Sequence, residues 1–356
     1  MIIEEKYMRR ALQLAANGAG TTGSNPMVGA VIVGPDGRII GEGWHRRYGQ
    51  GHAEVKAVES VRMEDAGLLS RSTIYVTLEP CSHYGKTPPC AKLINDCGIR
   101  SVVVGAVDPF EKVSGRGVEM LKSNGCDVAV GVLADECRRL NAKFFTAHTR
   151  RRPFVLLKWA QTSDRCIGVR GRRLQISNEA SAMEVHRLRS RYGAIMAGAG
   201  TVVNDDPMLD VRLWSMGDAP RRAVADRRHV VPVSSRFFRN DKLCDAVYFC
   251  GAEIRAGLPA GLLQLQARDV AGMLDALYGL GVTSLMVEGG AGLLNEFVES
   301  GLWDAARVET NPYLQVDESG AVYAPVLPCG LEYSEDLDGN IIQIFTNNPL
   351  VDVKNL

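Results

Sequence analysis

The sequence predicts an α/β protein built from two domains. Its 356 residues exceed the size that one hydrophobic core usually organises, since chains longer than about 250–300 residues divide into domains. Short apolar runs alternate with amphipathic segments, which is typical of strands and helices packed in layers. The basic stretch 149–153 has the composition of a linker. We therefore expect a first domain over residues 1–149 and a second over residues 150–356.

The first domain opens with an amphipathic helix over residues 4–17, in which Met8, Leu12 and Ala15 share one face. A Gly-Pro-Asp-Gly turn at 34–37 then predicts a hairpin between the first two strands. The predicted strands are 28–33, 38–44, 73–78, 101–107 and 127–132. The later predicted helices begin near Ala53 and at Pro89, and then span 115–123 and 134–145. This alternation predicts a sheet that is covered by helices on both faces.

The second domain shows a similar alternation without an internal repeat. Its predicted strands are 154–160, 194–199, 222–225, 246–250 and 284–287. Its predicted helices are 178–191, 270–280 and 291–299. In the first of these helices, Ala182, Val185 and Leu188 recur at near-helical spacing. The last predicted strand is joined to the last helix by two glycines alone, Gly289 and Gly290.

The composition excludes several classes of protein. Hydrophobic residues at 46% and charged residues at 23% are typical of an ordinary globular chain. The formal net charge of zero argues against a nucleic-acid partner bound through phosphate contacts. The sequence contains no signal-peptide pattern and no run of about 18 apolar residues, and its nine cysteines have no framework spacing. We therefore expect a cytoplasmic protein that binds neither nucleic acid nor membranes.

A histidine and two cysteines in the first domain form a candidate zinc site. His52 stands two residues before Glu54, and Cys81 and Cys90 follow the next predicted strand. Three protein ligands leave the fourth tetrahedral position of zinc open for water, as in catalytic zinc sites. A His-x-Glu segment followed by Pro-Cys and a second cysteine is the signature of zinc deaminases, in which the glutamate is the general acid and base and not a ligand. We therefore predict a zinc-dependent deaminase with Glu54 as its catalytic residue.

Each piece of this pattern is weak alone, and the combination is specific. Eight residues separate Cys81 from Cys90, which is more than the zinc-deaminase signature requires and is enough for a loop that lines a pocket. One alternative is a structural zinc module in a binding protein, and the spare glutamate beside only three ligands argues against it. Another is a nucleoside or tRNA base deaminase with an appended domain. Zero net charge and the long loop between the cysteines disfavour that alternative.

Two segments of the second domain indicate a phosphate-binding site. Residues 288–292 read Glu-Gly-Gly-Ala-Gly between a predicted strand and a predicted helix, and a helix N-terminus after glycines can bind phosphate. This is not the dinucleotide fingerprint, and a tight turn with a packing glycine explains it equally well. Residues 201–207 end in Asp-Asp-Pro, which is also favourable turn chemistry. Neither segment decides the function by itself.

Segments 25–29, 52–54 and 77–90 together resemble the bifunctional deaminase/reductases of riboflavin biosynthesis. The resemblance covers nearly the whole chain and is sharper in the first domain. It implies a cytidine-deaminase-like three-layer fold for the first domain and a dihydrofolate-reductase-like fold for the second. It also implies two cofactors, Zn²⁺ and NADPH, and a small-molecule substrate, a pyrimidine ribose phosphate. We further expect a homo-oligomer.

The resemblance assigns residues to both sites. Around the zinc ligands it implies the substrate contacts Asn25, His45, His83 and Lys86. In the second domain it implies the substrate contacts Lys158, Arg173, Arg189, Leu209, Arg212 and Glu288. The implied NADPH contacts are Ala160, Gln175, Thr201, Asp205, Gly290, Ala291, Gly292, Leu293, Leu294, Asn295 and Glu296. Arg189 and Arg212 suit the substrate phosphate, because a guanidinium matches phosphate oxygens.

The chain departs from the family pattern at three places in the second domain. Arg165 stands where glycine is usual, and we expect the loop to run differently because arginine adopts positive φ less readily. Gln175 replaces an aromatic residue, and Arg227 replaces a serine after a later strand. A basic loop at 170–173 can favour NADPH over NADH by binding the 2′-phosphate. Replacing Arg172 and Arg173 with alanine should therefore raise the KM for NADPH and barely change the KM for NADH.

Overall fold

The computed structural model describes residues 2–84, 88–110, 114–239, 245–317 and 319–353. The chain divides into two compact units, Met1–Arg150 and Arg151–Leu356. The predicted linker 149–153 is not an exposed connection throughout. Arg152 is buried and donates two hydrogen bonds to Asp304, at 2.6 and 3.0 Å. Within the described residues, no helix combines the length and the apolar character that crossing a membrane requires.

The first unit is built on a five-stranded sheet of order β2-β1-β3-β4-β5. Its strands are β1 Gly29–Val33, β2 Ile39–Trp44, β3 Thr73–Leu78, β4 Ser101–Ala106 and β5 Asp127–Val130. Its helices are α1 Glu5–Ala16, α2 Ala53–Glu59, α3 Cys90–Asp96, α4 Arg116–Ser123, α5 Ala134–Leu140 and α6 Ala142–Arg150, with a 3₁₀ helix at Met63–Arg71. The hairpin of β1 and β2 is antiparallel and β3, β4 and β5 are parallel. The predicted strands and helices of this half are confirmed, except for the helix 134–145.

Glycines show that helices cover both faces of this sheet. A Cβ atom on Gly29 would stand 2.0 Å from the Ala11 carbonyl oxygen of α1, and one on Gly43 would stand 2.3 Å from the Ala57 nitrogen of α2. Gly43 pairs with Ala30 across the hairpin, so Gly29 and Gly43 face opposite sides. The predicted three-layer arrangement is therefore confirmed, and the missing side chains allow both helices to approach closely.

The predicted helix 134–145 is wrong because it is interrupted at Asn141. The Asn141 side chain is buried, its oxygen accepts from the Met27 N–H at 2.8 Å, and its amide donates to the Met27 carbonyl at 2.8 Å. These bonds tie the helical interruption to the Asn25–Met27 segment. A periodicity argument cannot find this break, since its cause lies 114 residues away in the chain.

The second unit is built on a nine-stranded sheet of order β11-β10-β9-β8-β12-β6-β13-β16-β15. The strands of this unit are β6 Phe154–Thr162, β7 Cys166–Val169, β8 Ala194–Gly198, β9 Arg221–Ala225, β10 Ala246–Cys250, β11 Leu263–Gln266, β12 Ser284–Glu288, β13 Ala305–Asn311, β14 Ala321–Tyr323, β15 Leu331–Leu337 and β16 Asn340–Thr346, of which β7 and β14 form a separate two-stranded sheet. Its helices are α7 Glu179–Arg189, α8 Ala199–Asp205, α9 Val270–Gly279 and α10 Ala291–Ser300, with a 3₁₀ helix at Arg236–Arg239. The strands from β11 to β13 are parallel, and β16 and β15 add in antiparallel fashion.

The five predicted strands and three predicted helices of this half are confirmed, and several elements were not predicted. Strand β13 was missed because it carries buried charge: Arg307 is 3% exposed and Glu309 is fully buried. Strand β15 lies at the edge of the sheet and is largely exposed, so it lacks an apolar stripe. Parallel strands place their carboxyl ends at one edge of the sheet, and that edge is where ligands bind in folds of this kind.

Candidate active sites

The three predicted zinc ligands come together in the first unit. His52 immediately precedes α2, Cys81 follows β3, and Cys90 is the first residue of α3. Their donor atoms all lie within 4.8 Å of one another. The His52 Nδ1 atom lies 3.7 Å from the Cys81 Sγ atom and 3.3 Å from the Cys90 Sγ atom. Three elements distant in sequence therefore present one nitrogen and two sulfur donors to a single point.

This geometry fits a zinc ion. Zinc bonds of about 2.0 Å to nitrogen and about 2.3 Å to sulfur, at tetrahedral angles, place the two donors about 3.5 Å apart. The Cys90 backbone N–H also donates to the Cys81 Sγ atom at 3.3 Å. A hydrogen bond from the Cys90 thiol, together with the adjacent His52, lowers the pKa of Cys81, which favours the thiolate that binds metal. The donor set is that of a three-ligand, catalytic type of site.

Glu54 lies in the first turn of α2 beside these ligands and is 3% exposed. Its carboxylate is not among the donor atoms of the cluster. Burial raises the pKa of Glu54, and the neighbouring Cys81 acts in the same direction. A raised pKa makes a carboxyl group suitable for both accepting and releasing a proton near neutral pH.

Two of the predicted substrate contacts lie next to the zinc ligands. The Asn25 Nδ2 atom lies 3.2 Å from the His45 Nε2 atom, and the His45 Nδ1 atom lies 3.4 Å from the Gly51 carbonyl oxygen. The rings of His45 and His52 are 5.7 Å apart. Because a carbonyl can only accept, Nδ1 carries the proton and Nε2 accepts from the Asn25 amide. Burial lowers the pKa of His45, in agreement with a neutral ring.

The other two predicted substrate contacts, His83 and Lys86, are not shown beside the zinc ligands by the described residues. His83 is exposed on the loop between the cysteines. Lys86 lies outside the described residues. Asp108 was not predicted as a site residue, although burial raises its pKa to about 6 and both Glu79 and Cys81 are close to it. The Asp-Pro pair after β4 was the only signal in the sequence, and it indicates a turn as readily as a site.

Glu79 is a buried carboxylate that holds the cysteine loop. It is 4% exposed and stands two residues before Cys81. Its Oε2 atom accepts from the backbone N–H groups of Asp108 and Gly115 at 3.2 and 2.9 Å. Its Oε1 atom accepts from those of Gly117 and Val118 at 2.8 and 3.2 Å. One side chain therefore joins the segment that carries a zinc ligand to the end of β4 and the start of α4.

Replacing Glu79 with glutamine should destabilise the first unit by about 3 kcal/mol. An amide keeps one acceptor oxygen and turns an NH₂ group toward two backbone donors, so two hydrogen bonds to a charged group are lost at about 1.5 kcal/mol or more each. Urea titration of ammonia production and of zinc release measures the effect. Glu119→Gln, an exposed change on α4, is the control and should be neutral. Equal stability of the two variants would contradict this role for Glu79.

The second unit contains a cavity of about 1200 Å³ at the carboxyl ends of β6, β8, β9 and β12. Lys158 and Glu288 pair in register on adjacent strands β6 and β12. The Arg189 guanidinium of α7 donates to both Glu288 oxygens, at 2.8 and 2.6 Å, and to the Asp210 carbonyl at 2.9 Å. A lysine, a carboxylate and an arginine therefore lie next to one another on the cavity wall.

Burial sets the charge states on this wall. Burial lowers the pKa of Lys158, which sits among Glu288, Glu309, Arg307 and Arg189. Although burial of Glu288 acts in the opposite direction, the facing Arg189 guanidinium lowers the pKa of that carboxyl group. Glu288 is thus a stable carboxylate, and Lys158 gives up a proton more readily than an ordinary lysine.

The glycine turn after β12 fits a phosphate group. Gly289 has φ +99°, and a Cβ atom there would stand 2.6 Å from the Thr201 Oγ1 atom. That oxygen accepts from the Gly290 N–H at 2.7 Å and so fixes the turn. The N-cap residue Gly290 has no side chain to cap α10, and the first residues of that helix, Ala291 and Gly292, line the cavity. The first N–H groups of a helix and the helix dipole favour an anion at this end of the cavity.

Most of the predicted residues of the second domain line this cavity. They are Lys158, Ala160, Arg173, Gln175, Arg189, Thr201, Asp205, Leu209, Arg212, Glu288, Gly290, Ala291, Gly292, Leu293 and Glu296. Leu294 and Asn295 are not among the lining residues, and Leu294 is fully buried in the core below. Arg172 is exposed and is likewise not among the lining residues, so only Arg173 of that pair faces the cavity.

The departures from the family pattern have local structural explanations. Arg165 adopts φ 68°, a conformation that glycine takes more readily, and its guanidinium donates to the carbonyls of Ala324 and Pro325, each at 3.0 Å. Arg227 pairs with Glu296 and donates to the Arg268 carbonyl at 2.7 Å. Arg227 is therefore neutralised by a carboxylate, whereas Arg165 is held by two neutral carbonyl groups.

Two further residues, one that lines the cavity and one that bonds to the lining residue Ser177, were not predicted. His186 lines the cavity and is 4% exposed, and its Nδ1 atom accepts from the Arg212 backbone N–H at 3.2 Å. Glu309 on β13 accepts from the Ser177 hydroxyl at 2.8 Å and from the Asn340 amide at 2.7 Å. Both act through contacts between elements that are distant in sequence. The only signal for His186 was its position on α7 three residues before Arg189.

Comparisons with known proteins agree with the two-unit division of chemistry. Residues 1–106 match the family described as the cytidine and deoxycytidylate deaminase zinc-binding region. Residues 153–315 match the family described as the RibD C-terminal domain. The riboflavin biosynthesis protein RibD of Aquifex aeolicus is 38% identical over 315 residues, which are 87% of this chain and 87% of that protein.

Two solved structures are similar over nearly the whole chain. RibD of Acinetobacter baumannii superposes with a TM-score of 0.86 at 32% identity and covers 96% of this chain and 98% of its own. A diaminohydroxyphosphoribosylaminopyrimidine deaminase/5-amino-6-(5-phosphoribosylamino)uracil reductase from Thermotoga maritima superposes with a TM-score of 0.85 at 36% identity, with coverage of 96% and 98%.

Proposed function

Because the chain belongs to the RibD family of riboflavin-biosynthesis proteins, we propose that its two sites act in succession on one pyrimidine ribose phosphate. The enzyme is bifunctional, with a zinc-dependent deaminase activity and an NADPH-dependent reductase activity. Its two units have the cytidine-deaminase-like and dihydrofolate-reductase-like folds. The substrate we propose is 2,5-diamino-6-(ribosylamino)pyrimidinone 5′-phosphate. The observation that carries the proposal is one chain with a three-ligand zinc site and a cation-rich cavity that ends at a glycine turn.

In the first unit, we propose that Glu54 moves the protons of a hydrolytic deamination. His52, Cys81 and Cys90 would hold a zinc ion, which would supply the Lewis acid that makes water a nucleophile near neutral pH. Glu54 takes a proton as the water oxygen bonds to the amine-bearing ring carbon, and gives it to the amino group, which leaves as ammonia. Asn25 and His45 orient the ring, because their amide and imidazole stand beside the ligands.

In the second unit, we propose that Lys158 supplies the proton of the reduction. The glycine turn at Gly289 and Gly290 would hold the phosphates of NADPH, and the bound cofactor would supply the hydride that reduces the ribose C1. The bond between C1 and the ring oxygen breaks, and Lys158 protonates that oxygen, which leaves an open ribityl chain. The lowered pKa of Lys158 suits it to this transfer. Arg189 and Arg212 bind the ribose phosphate, and Glu288 holds a ribose hydroxyl group.

We also propose the partners, the location and the oligomeric state of the enzyme. We propose that the enzyme is cytoplasmic and acts on small molecules without nucleic acid or a membrane, which its zero formal charge supports. We also propose a homo-oligomer, since the second unit has large apolar side chains that are at least half exposed, namely Tyr313, Tyr323, Val326 and Leu331. Light scattering of the purified protein tests this, and a monomer at micromolar concentration would contradict it.

One assay tests the order of the two reactions. Purified enzyme is given the diamino substrate with and without NADPH, and ammonia and NADPH are followed separately. Ammonia should appear at the same rate in both reactions, and NADPH should be consumed only after ammonia has been released. Consumption of NADPH ahead of ammonia would mean that reduction comes first and would contradict the proposed succession.

Arg173 should contribute to cofactor choice and Arg172 should not. A charge-assisted hydrogen bond to a phosphate contributes about 1.5–3 kcal/mol, or tenfold and more in binding. We therefore expect Arg173→Ala to raise the KM for NADPH about tenfold and to leave that for NADH unchanged. Arg172→Ala, outside the cavity lining, is the matched control. A rise in the KM of the pyrimidine substrate instead would assign Arg173 to the substrate phosphate.

A further inference from the structure

We infer that His186 is a positioning residue of the reductase site, which fixes the segment 209–212 and thereby the side chain of Arg212. The inference rests on the proposed function in one respect, namely that Leu209 and Arg212 contact the substrate. His186 itself has no assigned role in either reaction. Its place in the structure separates it from an ordinary core histidine, because it lies on a face of α7 that lines the cavity, together with Ala182, Val185 and Arg189.

The segment that His186 holds is conformationally unfavourable. Asp206 has φ 42° and Leu209 has φ 52°, and both are outside the range that side-chain-bearing residues prefer. Such residues persist only where the surroundings over-determine them. At one end, Asp206 accepts from the Arg236 backbone N–H and from its Nε atom, each at 2.7 Å. The other end, which carries the proposed substrate contact, needs its own anchor.

Helix α7 supplies that second anchor through two side chains. Arg189 donates to the Asp210 carbonyl at 2.9 Å, and His186 accepts from the Arg212 N–H at 3.2 Å. The Arg212 side chain bonds to a residue of the same segment: its Nη1 atom donates to the Asp210 carboxylate at 2.5 Å. The backbone of Arg212 is therefore fixed by an imidazole nitrogen, and the guanidinium can turn toward the cavity from a defined origin.

The charge state of His186 agrees with this role. Arg189 of α7, Arg212 and Asp210 of the loop and Glu288 of β12 surround the ring. Burial, followed by Arg189 and Arg212, lowers the pKa of His186 to about 4. The ring is therefore neutral at neutral pH, and its Nδ1 atom is free to accept while Nε2 carries the proton. A protonated ring would have no acceptor for the Arg212 N–H.

Two substitutions at this position separate the acceptor from the rest of the ring. In His186→Asn the amide oxygen can occupy the place of Nδ1 and still accept from Arg212. In His186→Leu the acceptor is lost at similar size. With the deaminated intermediate as substrate, we expect His186→Leu to raise the substrate KM about tenfold, the value of one hydrogen bond, with kcat and the KM for NADPH near wild type. His186→Asn should restore most of the loss.

The experiment includes its own controls. Ammonia production by the first unit reports that each variant is folded and loaded with zinc. Met183→Ala, at a 51% exposed position on the same helix, should leave reduction unchanged. Inhibition by ribose 5-phosphate gives a binding readout that is independent of turnover, and its inhibition constant should rise in parallel with the KM. If the leucine variant does not fold, His186→Gln replaces it, because its longer amide places no acceptor at the Nδ1 position.

Other outcomes overturn the inference. A lower kcat with an unchanged KM would assign His186 to the chemical step, and an asparagine variant that is folded but as impaired as leucine would reduce it to packing. Arg212→Ala distinguishes these from a failure of the proposed function. If that variant binds substrate and ribose 5-phosphate normally, the phosphate contact is wrong. If it binds them weakly while His186→Leu is normal, the positioning role alone is wrong.

Discussion

Replacing Glu54 with glutamine should lower the rate of ammonia release by about 10²–10⁴-fold, the usual contribution of a general acid–base group. The protein should still bind one zinc ion, because the donor atoms come from His52, Cys81 and Cys90 and not from Glu54. Glutamine has nearly the same shape as glutamate and cannot take up or release the proton. Initial rates of ammonia release and the zinc content of the purified variant measure the two halves of this expectation.

A matched variant on the same helix controls for a general effect of removing a carboxylate. Glu59 also lies on α2, but its side chain is 56% exposed and pairs with Lys56. Glu59→Gln should therefore deaminate at the wild-type rate. Reduction of the deaminated intermediate should be normal in both variants. Loss of zinc from Glu54→Gln would show that Glu54 belongs to the coordination shell, and a normal rate of ammonia release would remove it from the mechanism.

The zinc site was predictable because its residue types recur at the spacing of a known signature. His52 and Glu54 are two residues apart, and Cys81 and Cys90 each follow the end of a strand or begin a helix. Spacing of this kind constrains which elements can carry the ligands. The resemblance then extended the prediction to the cavity of the second unit, which most of the implied contacts line.

The residues that hold these sites in shape were not predictable in the same way. Glu79 was visible as part of a motif, but its four backbone partners come from a loop and a helix about 30–40 residues later. Asn141 breaks a helix that is periodic by sequence, because Met27 offers it two hydrogen bonds. These roles depend on tertiary contacts, and single-residue patterns carry no trace of them.

Buried charge explains why strand β13 was not predicted from the sequence. Arg307 and Glu309 interrupt the apolar pattern of β13, yet Arg307 pairs in register with Lys158 on the central strand β6. A row of charged residues in the middle of a sheet contradicts the rule that central strands are apolar. Glu309 is satisfied by Ser177 and Asn340, whereas the Nη1 and Nη2 atoms of Arg307 have no hydrogen-bond partner among the described residues. The strand was missed for the reason that makes this region suited to a site.

The second large effect is expected from Cys81→Ser. A serine hydroxyl is a poor ligand for zinc compared with a thiolate, so the variant should lose its zinc and ammonia release should fall to background. The second unit contains its own cavity and none of the zinc ligands. When the deaminated intermediate is supplied directly, NADPH oxidation should therefore continue at the wild-type rate. Zinc content, ammonia release and NADPH oxidation are measured on one preparation.

Cys97→Ser provides the control for the loss of a thiol near this site. Cys97 follows α3 and is only partly buried, and it is outside the group of donor atoms. That variant should keep zinc and both activities. Wild-type enzyme stripped of zinc by a chelator should behave as Cys81→Ser does. Added zinc should restore ammonia release to the stripped wild-type enzyme and not to Cys81→Ser. If Cys81→Ser is folded and still fails on the intermediate, the reductase depends on the state of the first unit, because a zinc ligand has no part in the chemistry of the second cavity.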